Sequence, residues 1–136
     1  MPKIFVHDFK FEYVKLEQRE SNEDFYCGVT IYYNFSGELS NIDWDNLEYF
    51  FISVTTPFGL ASYLKQTIVK GLFPAKRLLS NLLIFDTCNE DEIMNFIKHE
   101  LNSIYGKTEK ELVLKAIRNF DWENERNLEI FEKLYS

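Results

Sequence analysis

The sequence predicts an α+β fold, in which an antiparallel sheet of about four or more strands carries three to four helices packed mainly on one face. Apolar and polar side chains alternate in the first half of the chain, and apolar side chains recur at helical spacing in the second half. Capping signatures precede two of the helical segments. The chain has 136 residues, 46% of them hydrophobic, without an internal repeat or linker. We therefore expect a single domain spanning residues 1–136.

Three strands are predicted in the first half. Residues 3–13 place every second side chain on one face, opposite Asp8, Lys10 and Glu12: Phe5, His7, Phe9, Phe11 and Tyr13. Residues 25–35 repeat this period, with one face formed by Phe25, Cys27, Val29, Ile31 and Tyr33. Residues 47–55 are nearly continuous in apolar side chains, which is typical of a central strand covered on both faces.

A helix is predicted to begin at the Thr56–Pro57 step. Threonine is a favoured N-cap, and proline at the first helical position loses no hydrogen bond, because its missing N–H would be unpaired there. Apolar residues then repeat at Leu60, Leu64 and Ile68, and Gly71 is placed to end the helix. Residues 78–85 are predicted to form a fourth strand.

Two further helices carry the signature of a capping box. The first begins after Asn89, ends at Gly106, and has the predicted buried stripe Ile93, Phe96, Ile97, Leu101 and Ile104. The second begins after Thr108, and its stripe is Leu112, Val113, Ala116, Ile117 and Phe120. A last helix is predicted over residues 124–134.

The sequence offers little catalytic chemistry. His7 and His99 are the two histidines and lack metal-site spacing, so we interpret both as structural or solvent-edge residues. Cys27 and Cys88 match no zinc or redox motif, and Cys27 is expected to be a buried free thiol. The five glycines form no phosphate loop, and the carboxylates lie mainly in connections and at helix starts, where they stabilise the helix dipole. We predict no enzymatic activity, no metal and no cofactor.

The charge balance favours a basic protein partner. Fifteen basic against 22 acidic residues give a net charge of −7, which disfavours nucleic acid and anionic membranes. A signal-peptide pattern and a long apolar run are missing, so a cytoplasmic location is expected. In the loop at residues 36–46, Asp43 and Asp45 flank Trp44, a combination suited to a contact with Arg or Lys. A solvated loop whose Trp44 covers the sheet edge is an equally good interpretation.

An ordered set of short motifs spans nearly the whole chain. Its members are Asp24-Phe25 opening a strand, the strand from Phe51 to the Thr56–Pro57 step with Leu60 inside the next helix, the strand 82–85, the helix 93–101, and the helix 108–120 leading to Trp122-Glu123. In this order they resemble the immunity protein 8 family of bacterial polymorphic-toxin and contact-dependent inhibition systems. The loop at residues 36–46 and the tail beyond Glu125 are longer than the family pattern.

The resemblance implies a non-enzymatic inhibitor that binds the C-terminal domain of a cognate toxin, which could be a basic nuclease. The partner-binding residues that we predict are Asp43, Trp44, Asp45, Glu48, Glu123, Glu125 and Glu129. For Trp122, packing on the core is favoured over partner contact. Two alternatives stay open: a ligand-binding or adaptor module with a pocket between sheet and helices, and a metal-dependent hydrolase built on clustered carboxylates. Self-association is left undecided.

Overall fold

The computed structural model describes residues 2–13, 24–37, 47–69 and 81–122. Within these ranges the elements are β1 (Phe5–Tyr13), β2 (Tyr26–Asn34), β3 (Glu48–Thr55), α1 (Pro57–Val69), β4 (Leu82–Ile84), α2 (Glu90–Asn102), α3 (Glu109–Ala116) and β5 (Asp121–Trp122). The predicted helix at 124–134, the predicted helix end at Gly71 and the first part of the strand predicted at 78–85 lie outside them. The short strand β5 was not predicted.

The strands form one sheet in the order β1-β2-β3-β4, with β5 also paired to β3. The α+β class is confirmed. The pairs β1–β2, β2–β3 and β3–β5 are antiparallel, but β3 and β4 are parallel, so the sheet is mixed. The segment between β3 and β4 contains α1, and a helical crossover returns the chain in its original direction.

A register shift in β1 changes which residues share a face. Val6 pairs with Tyr33 and Asp8 pairs with Tyr32, so His7 is the extra residue of a bulge. Phe9, Phe11 and Tyr13 therefore lie on the same face as Val6, and Phe5 lies on the opposite face. The prediction that Phe5 and Phe9 share a face was wrong, because a bulge inverts the alternation beyond it.

The core lies between one face of the sheet and the helices α2 and α3. Every second residue of β2 from Cys27 to Tyr33 is fully buried there, as predicted, and the core continues with Phe50, Ile52, Val54, Ile93, Ile97, Leu101, Leu112, Val113 and Ala116. The caps are confirmed: Asn89 Oδ1 accepts from Glu92 N at 3.1 Å, and Thr108 Oγ1 accepts from Glu111 N at 3.2 Å. Phe96 departs from its predicted stripe, with 42% of its surface exposed.

Helix α1 begins at the predicted residue and lies near the start of β2. Thr56 Oγ1 accepts from Gly59 N at 3.0 Å, which confirms the N-cap. Tyr63 stacks on Tyr26 with ring centroids 3.9 Å apart. Because Tyr26 points away from the core face of β2, α1 contacts the opposite face of the sheet, unlike α2 and α3.

Strand β3 is central, as predicted, but its two faces are not equally covered. Phe50, Ile52 and Val54 are buried, whereas Tyr49, Phe51 and Ser53 are partly exposed. The prediction of burial on both faces was wrong. Tyr49 and Phe51 made the strand nearly continuous in apolar residues, the pattern of a fully buried strand, although their own face is partly exposed.

Candidate functional site

The face of the sheet opposite the core carries the main candidate site. Register places its side chains in cross-strand rows, with Asp8 opposite Tyr32 and Tyr32 opposite Tyr49 in one row. The next row runs from Lys10 through Thr30 and Phe51 to Asp121. We call this surface the open face, defined as Asp8, Lys10, Glu12, Thr30, Tyr32, Tyr49, Phe51 and Asp121. A shallow cavity of about 430 Å³ lies over most of these residues.

The open face combines partly exposed aromatic rings with a negative charge. Asp8, Glu12 and Asp121 supply three carboxylates, and Lys10 supplies one cation. Lys10 Nζ lies 3.4 Å from Glu12 Oε1, and both side chains are more than half exposed, so solvent strongly screens this pair. The remaining charge is available to a partner that brings Arg or Lys to the aromatic rings.

Packing beneath the open face positions these aromatic rings. A Cβ atom at Gly28 would lie 2.7 Å from Phe51 Cζ, so the Phe51 ring occupies space that only glycine leaves free. Tyr32 meets Tyr49 edge to face with ring centroids 6.1 Å apart. Edge-to-face pairs are a favourable aromatic geometry, so neighbouring strands support the exposed rings.

Asp121 is held at the end of the open face by a contact with the start of β4. Asn81 Nδ2 donates to Asp121 Oδ1 at 2.5 Å, and Asn81 has a left-handed backbone with φ 53°. Asparagine tolerates this conformation better than most residues. The contact ties β5 to β4, although the two strands pair with different parts of β3.

Glu48 is the one predicted partner-binding residue within the described ranges. Its Oε2 accepts a hydrogen bond from the Tyr33 hydroxyl at 2.6 Å, and that hydroxyl accepts from Trp122 Nε1 at 2.9 Å. Glu48 therefore belongs to a partly buried network on the core side of the sheet. The other predicted contact residues, Asp43, Trp44, Asp45, Glu123, Glu125 and Glu129, lie outside the described residues.

Trp122 packs on the core, as predicted. It is 4% exposed and pairs with Phe50 across β5 and β3. Tyr33 stacks on Phe50 with ring centroids 4.4 Å apart. The Trp122–Tyr33–Glu48 network thus gives hydrogen-bond partners to the Trp122 indole N–H and the Tyr33 hydroxyl inside an apolar layer. Buried polar groups generally need such partners.

A second polar cluster joins the end of β1 to the start of α2. The Tyr13 hydroxyl donates to Glu90 Oε2 and lies 3.7 Å from Cys88 Sγ. Burial, followed by the hydrogen bond to Glu90, raises the pKa of Tyr13 well above its ordinary value. The phenol therefore keeps its proton in the folded state and serves as a donor that links two elements.

A separate cavity of about 450 Å³ opens where β4 meets the helix layer. We call it the β4 cavity, and its walls are formed by Ile52, Asn81, Leu82, Leu83, Phe96, Glu100, Arg118, Asn119 and Phe120. Phe96 meets Phe85 edge to face at its rim, with centroids 5.7 Å apart. The exposed Phe96 ring thus borders a concave space with both apolar and polar walls.

The remaining chemistry-bearing residues have local explanations. His7 Nε2 lies 2.7 Å from Asn34 Oδ1, which also accepts from Gly37 N, and His99 is exposed on α2. Cys27 is buried and lies outside any disulfide, as predicted. In the part of the chain that the structure describes, three or more His, Cys, Asp or Glu residues do not gather into a possible metal site. None of the helices in these ranges has the length and apolar character to cross a membrane.

Part of the open face is visible in the sequence, because alternation in β1 places Asp8, Lys10 and Glu12 opposite the core. The exposed rings of Tyr32, Tyr49 and Phe51 were not predicted as part of a site. Their signal is the alternation itself: Tyr32 and Phe51 each lie between two core residues, and Tyr49 precedes the core residue Phe50, so all three point to the other face. Which strands lie side by side was not visible in one sequence.

Comparisons with known proteins give no relative. No family model matches the chain, and no curated protein or solved structure is similar to it at a significant level.

Proposed function

We propose that the chain is a non-enzymatic immunity protein that binds and neutralises a cognate bacterial toxin domain with a basic surface, such as a nuclease. The observation that carries this proposal is the open face, where Tyr32, Tyr49 and Phe51 are partly exposed beside three carboxylates and one lysine. Tyrosine is enriched among the residues that contribute most to the energy of protein interfaces, and the net charge of −7 attracts a basic partner over distance.

The proposed mechanism is competition for a cationic surface. Opposite charges speed the encounter, and the aromatic rings then bury apolar area against the toxin. Asp8, Glu12 and Asp121 pair with Arg or Lys side chains that would otherwise hold the toxin's anionic substrate. The acidic loop with Asp43, Trp44 and Asp45, the residue Glu48, and the C-terminal Glu123, Glu125 and Glu129 remain proposed contributors.

The experiment is co-expression with the toxin domain encoded by the gene directly upstream. We expect the pair to co-purify at low salt and the cells to survive, with affinity that falls as salt rises. Failure to form a complex at low salt, together with failure to protect cells, would refute the proposal.

A charge-reversal pair locates the contact. Changing Asp8 and Glu12 together to Lys should weaken toxin binding by about a hundredfold or more, because two favourable charge contacts become repulsive. The matched control changes Asp86 and Asp91 to Lys, which alters the net charge equally at exposed positions that are not among the residues of the open face. Equal loss in both variants would show that only total charge matters.

A second candidate is a ligand-binding or adaptor module, and the β4 cavity favours it. A concave space between sheet and helices that combines apolar side chains with converging polar groups is typical of small-molecule sites. A chain that binds no basic protein but is stabilised by a small molecule in this cavity would belong to that class.

A further inference from the structure

We infer that the β4 cavity is a binding site for a small apolar molecule that carries a carboxylate, with Arg118 as its recognition residue. This inference does not rest on toxin binding, because Phe96, Glu100 and Arg118 belong to the helix layer on the core side of the sheet, outside the open face. Asn81, which also lines the cavity, donates to Asp121 of the open face.

The apolar part of the inference comes from Phe96. This residue belongs to the apolar stripe of α2, yet it is 42% exposed, whereas its neighbours in the stripe, Ile93 and Ile97, are fully buried. The β4 cavity lies in front of it, and Leu83 and Phe120 form further apolar walls. A phenyl or branched aliphatic group in this space would cover the Phe96 ring and remove apolar surface from water.

The charged part comes from Arg118. Arg118 is exposed beside the cavity, and its guanidinium has no carboxylate or hydrogen-bond partner among the described residues. Two other basic side chains of the helix layer are occupied: Lys115 contacts Glu111 and the Tyr105 carbonyl, and Lys98 lies over the Phe9 ring. A guanidinium fork matches a carboxylate in two parallel hydrogen bonds.

A carboxylate at the rim of the cavity also affects the binding of an anionic ligand. Glu100 is exposed on α2 and lines the same cavity. A second carboxylate near the ligand weakens the binding of an anion, so removing Glu100 should strengthen it. Removing Arg118 and removing Glu100 should therefore change the affinity for the ligand in opposite directions. A non-specific apolar contact would not show this difference.

The test is a titration of the full chain with 3-phenylpropionate, followed by amide NMR shifts, with 3-phenylpropionamide as the uncharged probe. We expect saturable shifts at residues 81–85, 96–100 and 118–120 with the acid, and at least about tenfold weaker binding of the amide. Arg118→Gln should weaken acid binding at least about tenfold, and Glu100→Gln should strengthen it severalfold. Lys3→Gln, an exposed lysine outside the cavity, is the matched control and should change nothing.

Several outcomes would overturn the inference. They are the lack of saturable shifts, equal binding of acid and amide, and unchanged binding by Arg118→Gln. Shifts at the cavity that depend on protein concentration without any probe would instead identify a second copy of the chain as the occupant. Because Arg118 lies outside the open face, Arg118→Gln should preserve toxin binding, so this inference and the proposed function can fail independently.

Discussion

The two faces of the sheet differ in how far their side chains are buried. On the core face, Cys27, Val29, Ile31 and Phe50 are fully buried under α2 and α3. On the open face, Tyr32, Tyr49 and Phe51 are partly exposed between carboxylates. Neighbouring residues of one strand thus meet different demands, because side chains alternate between faces. The core face is optimised for packing, and the open face keeps large rings accessible at some cost in unburied apolar area.

The largest expected difference in stability is between alanine variants of two adjacent residues of β3. Phe50→Ala should lower the free energy of unfolding by about 3–5 kcal/mol, since it leaves a cavity between Tyr33 and Phe120. Tyr49→Ala should cost about 1 kcal/mol, the scale of one cross-strand pair. Urea denaturation measures both. Similar losses for the two variants would mean that the open face is also a packed core.

A smaller contrast concerns two glycines. A Cβ at Gly59 would lie 1.9 Å from the Phe25 carbonyl oxygen, which is backbone and cannot move freely, so Gly59→Ala should destabilise the fold by about 3 kcal/mol. A Cβ at Gly28 would meet only the end of the Phe51 ring, which can rotate toward the open face, so Gly28→Ala should cost about 1 kcal/mol.

Thermal unfolding of the two alanine variants tests this order. If Gly28→Ala were the more damaging change, Phe51 would be held rigidly and the open face would not adapt to a partner.

The smallest effect appears at high pH. The raised pKa of Tyr13 means that the folded state holds this proton more tightly than the unfolded chain. The corresponding stability is complete below the ordinary tyrosine pKa of about 10 and is lost as pH rises above it. Tyr13→Phe should therefore show a shallower fall in stability above that pH than the wild type.

Urea midpoints between neutral and strongly alkaline pH provide the measurement. Glu90→Gln removes the carboxylate that accepts the hydrogen bond from the Tyr13 hydroxyl, so its stability should fall with pH at an intermediate slope. Identical slopes for all three proteins would show that the link between β1 and α2 does not depend on this proton.

Local signals in the sequence were sufficient for most elements. The caps at Thr56, Asn89 and Thr108 were predicted because an N-cap depends on residues within one turn. The core face of β2 followed from strict alternation. The β5 strand was not predicted, since two residues carry no periodic signal. The exposure of Phe96 was not predicted either, because an apolar stripe on a helix does not show how far the sheet beneath it extends.

By itself, the sequence determined the α+β class, the starts of the helices, the buried side of β2 and the acidic net charge, because these depend on local patterns or on composition. Only the tertiary structure decided the rest: the bulge at His7 that moves Phe5 to the other face, the parallel pairing of β3 with β4, and the assembly of Asp8, Tyr32, Tyr49 and Asp121 on one surface. The physical reason is that these features depend on which distant strands pair and in what register. A single alternating pattern leaves both of these undetermined.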